Sequence, residues 1–325
     1  MMAMAKDRGL LDFTDKICKH WPKFGQEGKE DLTIADLMRH ECGLPSLTPP
    51  PSVEDIQTAN IKTNALGELI EKHKLSWPVE GRRQYHSVTR GWIANEIFRR
   101  ADPQKRTMGE FLDLEIAKKL GADVFIGCSK QNYFPVKEIP MSTRAIQAIK
   151  KSFGLSSWSD MTFGEMFSLI RNMTRINRDP AIEGMTSFML FNEPDVRKSE
   201  SSSVNGNCSA RGLARVAAAM ANKGEFEGVR LMSEDAWFSM HDKPTSGFLI
   251  PPLPLRVPIT QGGVAAFDDE RTGWNGWMGY GGSVFQWHPR LKIGFGYTCT
   301  YLYGVSYNFT VAMKKSFINI LIGFL

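Results

Sequence analysis

The residue in this chain best suited to acid–base chemistry is Tyr85, in the run GRRQYHSVTRGW just ahead of a helical pattern. A phenol beside a cation is favoured in its ionised form and can then take the proton of a hydroxyl nucleophile. A lone Tyr is more often a buried aromatic with a satisfied hydroxyl, so Tyr85 needs company before it counts as a base. The glycine cluster Gly273, Gly276, Gly279, Gly281 and Gly282, ahead of a strand-like run, is one candidate. Without Cβ atoms such a backbone lets a ligand approach closely, and its N–H groups could form half of an oxyanion hole. A tight loop entering an edge strand would use the same glycines. The cluster is no dinucleotide fingerprint, because Val284 holds the third glycine position counted from Gly279, and no phosphate-cradling loop ending in Gly-Lys-Ser/Thr occurs.

His86 and His288 stand out among the histidines, but the six are dispersed and no His-Glu-x-x-His pair occurs, so no metal site is expected. No Gly-x-Ser-x-Gly elbow exists, which removes the α/β-hydrolase reading. The five cysteines are far apart, with no Cys-x-x-Cys pair. Free, partly buried thiols in a reducing compartment are expected, rather than a disulfide framework.

The elements that must position these groups begin with a helix end broken at Gly9. Residues 32–47, LTIADLMRHECGLPSL, predict a short helix with Thr33 as N-cap, Asp36 completing a capping box, and Gly43 taking the left-handed position after it. Helices are expected over 57–74, 87–101 and 107–120. In the second, Trp92, Ile93, Ile97 and Phe98 share one face. Residues 143–200 read as mostly helical, and 199–206, SESSSVNG, as a flexible hinge between lobes. An Ala-rich helix follows over 208–222, then a short strand and a helix start over 227–234. Residues 245–273 read as a Pro/Gly-rich loop, followed by strands over 283–287 and 292–302 and a closing helix from about Phe309.

Composition bounds the rest. The chain has 325 residues, a net charge of +5 and scattered Lys and Arg, with no basic stripe interleaved with aromatics, so no nucleic-acid partner is expected. MMAMA is followed at once by Lys6, Asp7 and Arg8, which leaves no apolar signal core. No run approaches the ~20 apolar residues of a membrane span. A cytoplasmic or other intracellular location is the expectation. No cofactor is implied, and the sequence sets no oligomeric state.

Several ordered segments together resemble the class C β-lactamases, DD-peptidases and family VIII carboxylesterases, the esterase branch most of all. They are DLMRHECGLPSL, YHSVTRGWIANEIFRR, SSVNGNCSARGLARVAAAMANKGEFEGVRLMS and GYGGSVFQWHP, and the resemblance covers essentially the whole chain. It implies an α+β fold with an antiparallel sheet flanked by helices and a mostly helical lobe. The expected organisation is a single domain over 1–325, with lobes over about 1–200 and 201–325. The resemblance also implies an acyl-enzyme mechanism on a small acyl ester or amide. Tyr85-His86-Ser87 matches the family's Tyr-x-Asn/Ser motif, which makes Tyr85 the general base and Ser87 a substrate contact. Trp277-Met278-Gly279 matches the third motif, and Tyr280 would supply the strand N–H of the oxyanion hole.

Two departures qualify the expectation. Trp277 stands where lactamases place a cationic or imidazole residue that helps hold the lactam carboxylate, which favours ester substrates. The family's nucleophile lies in a Ser-x-x-Lys motif upstream of the 32–47 segment, and no Ser in this chain has a Lys three residues later. The chain as written is expected to be inactive. It reads either as truncated at the N-terminus, with part of the α/β lobe missing, or as a pseudoenzyme that keeps the fold for interaction or assembly.

Overall fold

The computed structural model describes residues 1–76, 83–127, 137–138, 180–185, 188–248, 256–267, 273–279 and 282–302. The expected closing helix, most of the 143–200 stretch and Tyr280 lie outside these residues.

The helical part is built on short apolar helices whose inward faces meet. Helix α1 (Met2–Asp7) buries Met2, Ala3, Met4 and Ala5 and ends ahead of Gly9, which takes φ 68°. Helix α2 (Ile34–Met38) starts as expected, with the Asp36 N–H donating to Thr33 Oγ1 and the Thr33 N–H donating to Asp36 Oδ2. It ends earlier than the sequence suggests. The left-handed residue after its C-cap is His40, at φ 65°, while Gly43, also left-handed at φ 69°, turns the chain further on. The 57–74 helix is two helices, Thr58–Lys62 and Ala65–Lys72, separated where Asn64 adopts φ 75°.

Helix α3 (Thr89–Ala101) is the central rod of this part. Trp92, Ile93, Ile97 and Phe98 are almost fully buried, as the periodicity predicts. Each is worth about 1.5–3 kcal/mol of transfer free energy. Asn95 and Glu96 of the same helix are buried too, because α3 is covered on several sides. Residues 107–120 follow as Met108–Leu112, a π turn and Lys118–Leu120, opened by a second capping box between Thr107 and Glu110.

The 199–206 segment is a correction: it is not a flexible hinge. Ser199, Glu200, Ser201 and Asn205 are buried. Asn205 Nδ2 donates to the carbonyls of Val196, Arg197 and Ser199 at 3.0, 3.1 and 2.7 Å. Glu200 accepts from the hydroxyls of Thr58 and Thr107 and from the Gly109 N–H. The polar residues that suggest a loop are there to satisfy buried groups.

The sheet part opens with α4 (Ala210–Ala221), capped by Ser209, and α5 (Glu234–His241), capped by Ser233. The stretch read as a loop over 245–273 carries three strands, β1 (Thr245–Phe248), β2 (Arg256–Ile259) and β3 (Ala265–Phe267). Each is only three or four residues long and flanked by Gly and Pro, too short for alternation to show. They continue into β4 (Trp274–Met278), β5 (Val284–His288) and β6 (Ile293–Tyr297). All six form one antiparallel meander with each strand beside its sequence neighbour. Helix α4 lies directly on β6. A Cβ at Gly296 would sit 2.6 Å from the Ala214 nitrogen, so the Ala-rich helix and the GFG strand need each other's small residues. Cys18, Cys42, Cys208 and Cys299 are free thiols.

Candidate active site

Tyr85 is the middle residue of a segment pinned on both sides. Arg83 is buried and donates from Nη1 to the Val257 carbonyl of β2 at 2.7 Å and from Nη2 to the Thr245 carbonyl of β1 at 2.8 Å. Its Nη2 also lies 2.9 Å from Glu41 Oε1, just beyond α2. One guanidinium thus ties the helical part to the sheet, the bidentate use for which Arg is suited.

His86 pins the other side. Its Nε2 accepts the Leu44 backbone N–H at 2.9 Å, so the ring proton resides on Nδ1, which donates to the Gln84 carbonyl at 2.6 Å. Cys42 Sγ lies 3.3 Å from the same Nε2 and can only be the donor there. Burial depresses the His86 imidazole to about 3 and pushes the Cys42 thiol up to about 12. The pair is therefore a neutral thiol–imidazole brace and not a thiolate nucleophile. His86, a tempting histidine in the sequence, is structural. So is His288, which accepts the Leu291 N–H in the β5–β6 turn.

Between these anchors the Tyr85 ring stacks on Trp277 of β4, with centroids 5.9 Å apart and planes 26° apart. His40 packs edge-on to Tyr85 at 4.9 Å and lies 6.1 Å from Trp277. His40 is fully buried, and its Nδ1 accepts the His86 N–H at 3.1 Å. Burial, followed by the charges of Arg90, His86 and Arg83, holds its pKa well below the usual imidazole range. A buried histidine at positive φ is an uncommon conformation, of the kind that clusters at functional sites. Arg90, on α3, completes the group with its guanidinium 5.8 Å from the Trp277 ring centroid. The cluster's apolar floor is Val257, Ile259 and Ala265, with Met278 beside it.

The structure thus brings Tyr85 and Trp277 together. Ser87 and Gly279 are exposed. The Gly279 N–H donates to the Ser283 carbonyl at 2.8 Å inside the β4–β5 turn, so it is not a free oxyanion donor. His40, Arg83 and Arg90 were missed as site residues by sequence reasoning. No spacing rule marks them, because their partners lie far away along the chain. Among the described residues no group of three or more His, Cys, Asp or Glu could hold a metal ion.

A six-stranded antiparallel meander carrying an Ala-rich helix, with a stacked Tyr–Trp pair between sheet and helical part, defines a β-lactamase/transpeptidase-like scaffold. The sequence model of the β-lactamase family matches residues 1–314, and the chain belongs to that family. It is 27% identical over 237 residues to the esterase/β-lactamase LipL of Mycobacterium tuberculosis, covering 70% of this chain and 49% of that protein. The chain therefore spans about half the length of this curated relative. Among solved structures, EstA from Arthrobacter nitroguajacolicus superposes with TM-score 0.70 at 22% identity, over 93% of this chain and 75% of that one. A family VIII carboxylesterase gives TM-score 0.66 at 21% identity, over 92% and 73%. A penicillin-binding protein homologue from Caulobacter crescentus gives 0.65 at 20%, over 95% and 79%. These likenesses establish the fold. No helix among the described residues is long and apolar enough to cross a membrane.

Proposed function

We propose that this chain carries the general-base and substrate-facing part of a serine ester hydrolase that works through an acyl-enzyme, with a small neutral ester or amide as substrate. The observation that carries the reading is Tyr85, pinned by Arg83 and His86 and stacked on Trp277, the first residue of the third motif. Tyr85 takes the proton of the attacking hydroxyl, Ser87 contacts the substrate, and the backbone N–H of Tyr280 supplies the strand half of the oxyanion hole. Trp277 in place of a cation favours esters over β-lactams, in line with the esterase half of the description that LipL carries. These 325 residues contain no Ser-x-x-Lys, so we propose that they do not form an acyl-enzyme alone. The same absence supports a second reading, a family member kept for interaction or assembly.

The test compares this chain with a form extended upstream by a Ser-x-x-Lys helix, using p-nitrophenyl acetate and nitrocefin. The present chain is expected to be inert. The extended form should hydrolyse the ester, and Tyr85→Phe should lower its kcat/KM by roughly 10²–10⁴-fold. An extended form indifferent to Tyr85→Phe removes Tyr85 as the base. Two inert forms leave the interaction reading in possession.

A further inference from the structure

Away from the Tyr85 group, an open cavity of about 670 Å³ lies between the turn that follows α1 and helix α5, a size within the range of small-molecule sites. It shares no residue with that group. On one wall Lys6 and Asp12 form an ion pair, and Asp12 also accepts the Thr14 N–H at 2.9 Å and the Thr14 hydroxyl at 2.7 Å. That wall offers no unmatched charge. His241 lines the cavity too, but its ring nitrogens are engaged by the Trp237 carbonyl and the Trp287 indole, and burial lowers its imidazole to about 4, so it is neutral at pH 7. The charges that remain are Asp235, Asp242 and Lys243, all exposed and without an ion pair or side-chain hydrogen bond among the described residues. Exposed charges are ordinary on a surface. Asp242 and Lys243 differ in being fixed side by side. The Gln261 N–H donates to the Asp242 carbonyl at 3.0 Å, and Arg39 Nη2 donates to the Lys243 carbonyl at 2.5 Å. Lys243 takes φ 49°, a left-handed conformation that non-glycine residues rarely hold. Phe238 lines the same cavity one turn back on α5, about 6 Å along the axis. At 50% exposure it is the most open large apolar side chain among the described residues. Trp237, edge-on at 5.2 Å, and the Lys223 ammonium at 5.0 Å hold its ring in place.

We propose that this cavity is a second ligand site, one that takes a free α-amino acid with an aromatic side chain. Such a molecule carries an ammonium and a carboxylate on one carbon. Asp242 and Lys243, opposite in charge, adjacent in the chain and each unmatched, are complementary to that head group. The aromatic side chain packs on Phe238, since aromatic pairs gain more than their buried area alone. The ammonium at Asp242 sits just past the C-terminal end of α5, where the helix dipole favours a cation. The cavity as a whole favours it too, because Asp12, Asp235 and Asp242 outnumber Lys6 and Lys243. A carboxylate without an ammonium meets Lys243 alone, against two unmatched carboxylates. Lys243 leads within two residues into β1, where the Thr245 carbonyl holds Arg83. The site thus adjoins the anchor of the Tyr85 segment, but it does not depend on the role of Tyr85.

The test needs binding rather than turnover, and so works on the 325-residue chain as it stands. L-Phenylalanine is titrated by ligand-observed NMR beside phenethylamine, which lacks the carboxylate, hydrocinnamate, which lacks the ammonium, and L-alanine, which lacks the ring. L-Phenylalanine should bind with a Kd on the order of 1 mM, the scale for a ligand of its size. Phenethylamine and L-alanine should each bind about tenfold more weakly, and hydrocinnamate more weakly still. Two substitutions at exposed positions should give a crossed pattern. Asp242→Asn should weaken L-phenylalanine and phenethylamine about fivefold or more, and hydrocinnamate not at all. Lys243→Gln should weaken L-phenylalanine and hydrocinnamate, and phenethylamine not at all. Phe238→Ala should weaken all three. Each variant is checked for native circular dichroism, and the ligand series on the wild type decides alone if a variant is unfolded. No binding of L-phenylalanine to the wild type at about 10 mM overturns the proposal. So does binding that ignores both charge substitutions, or hydrocinnamate or L-alanine binding as tightly as L-phenylalanine.

Discussion

Mild acid should unfold this protein, and two histidines set how much. His86 and His241 are wired alike. In each, Nδ1–H donates to a backbone carbonyl, of Gln84 for His86 and of Trp237 for His241, and Nε2 accepts an N–H, from Leu44 and from the Trp287 indole. A proton added at Nε2 would point one N–H at another inside a buried site. Burial accordingly lowers the two imidazoles from 6.5 to about 3 and about 4. A group whose folded pKa is depressed binds its proton more weakly when folded. The stability it lends is complete above the unfolded value and drains away as pH falls from 6.5 toward the folded value. Between pH 7.5 and pH 4.5 linkage gives about 2.7 kcal/mol for His86 and about 2.5 kcal/mol for His241. His40 adds to the loss in the same direction. The sum of at least about 5 kcal/mol is comparable to the whole stability of many domains. Depressed carboxylates such as Glu115, lowered to about 2 by Lys119 and Arg8, contribute mainly below this window. The assay is urea unfolding followed by far-UV circular dichroism at pH 7.5, 6.0 and 4.5. His241→Gln and His86→Gln, which stay neutral, should each fall by about 2.5 kcal/mol less than the wild type over the same range. A wild-type loss under about 1 kcal/mol, or single variants that lose as much as the wild type, would refute the argument.

Two further outcomes follow from the packing. Arg83→Met leaves Glu41 without its cation and cuts the bonds to Thr245 and Val257, and should cost about 3–5 kcal/mol in thermal unfolding. Arg83→Lys should recover less than half of that, since an ammonium cannot span the same partners. Gly296→Ala drives a Cβ to within 2.6 Å of the Ala214 nitrogen and should destabilise by about 1–3 kcal/mol, whereas Gly206→Ala, with nothing within 4 Å, should change stability by less than about 0.5 kcal/mol. Equal effects of the two glycine substitutions would mean that helix α4 does not lie on β6 as described.

How far the sequence reveals this molecule depends on whether the deciding interactions are local. The Thr33–Asp36 capping box and the buried stripe of α3 are made within one or two turns, and both are legible as residue spacing. Strands β1 to β3 are not, because each is stabilised by its neighbours in the meander rather than by its own alternation. The SESSSVNG segment fails in the opposite sense. Its composition is that of a loop, yet Glu200 and Asn205 spend their polar atoms on Thr58, Thr107 and three carbonyls, partners that a local rule cannot see. The site combines both situations. Tyr85 and Trp277 are found through ordered motifs, but what brings them together as a candidate site is long-range. Arg83 reaches β1 and β2, His86 reaches Leu44, and Arg90 reaches the Trp277 ring. The position where every local rule fails is His40, a buried, neutral, non-glycine residue at positive φ that ends a helix expected to run on to Gly43. Sequences break their local rules where another constraint outweighs them. At His40 that constraint is the packing of an imidazole edge against Tyr85 while its Nδ1 accepts the His86 N–H, so the residue that spoils the helix prediction is also one that holds the Tyr85–His86 segment in place.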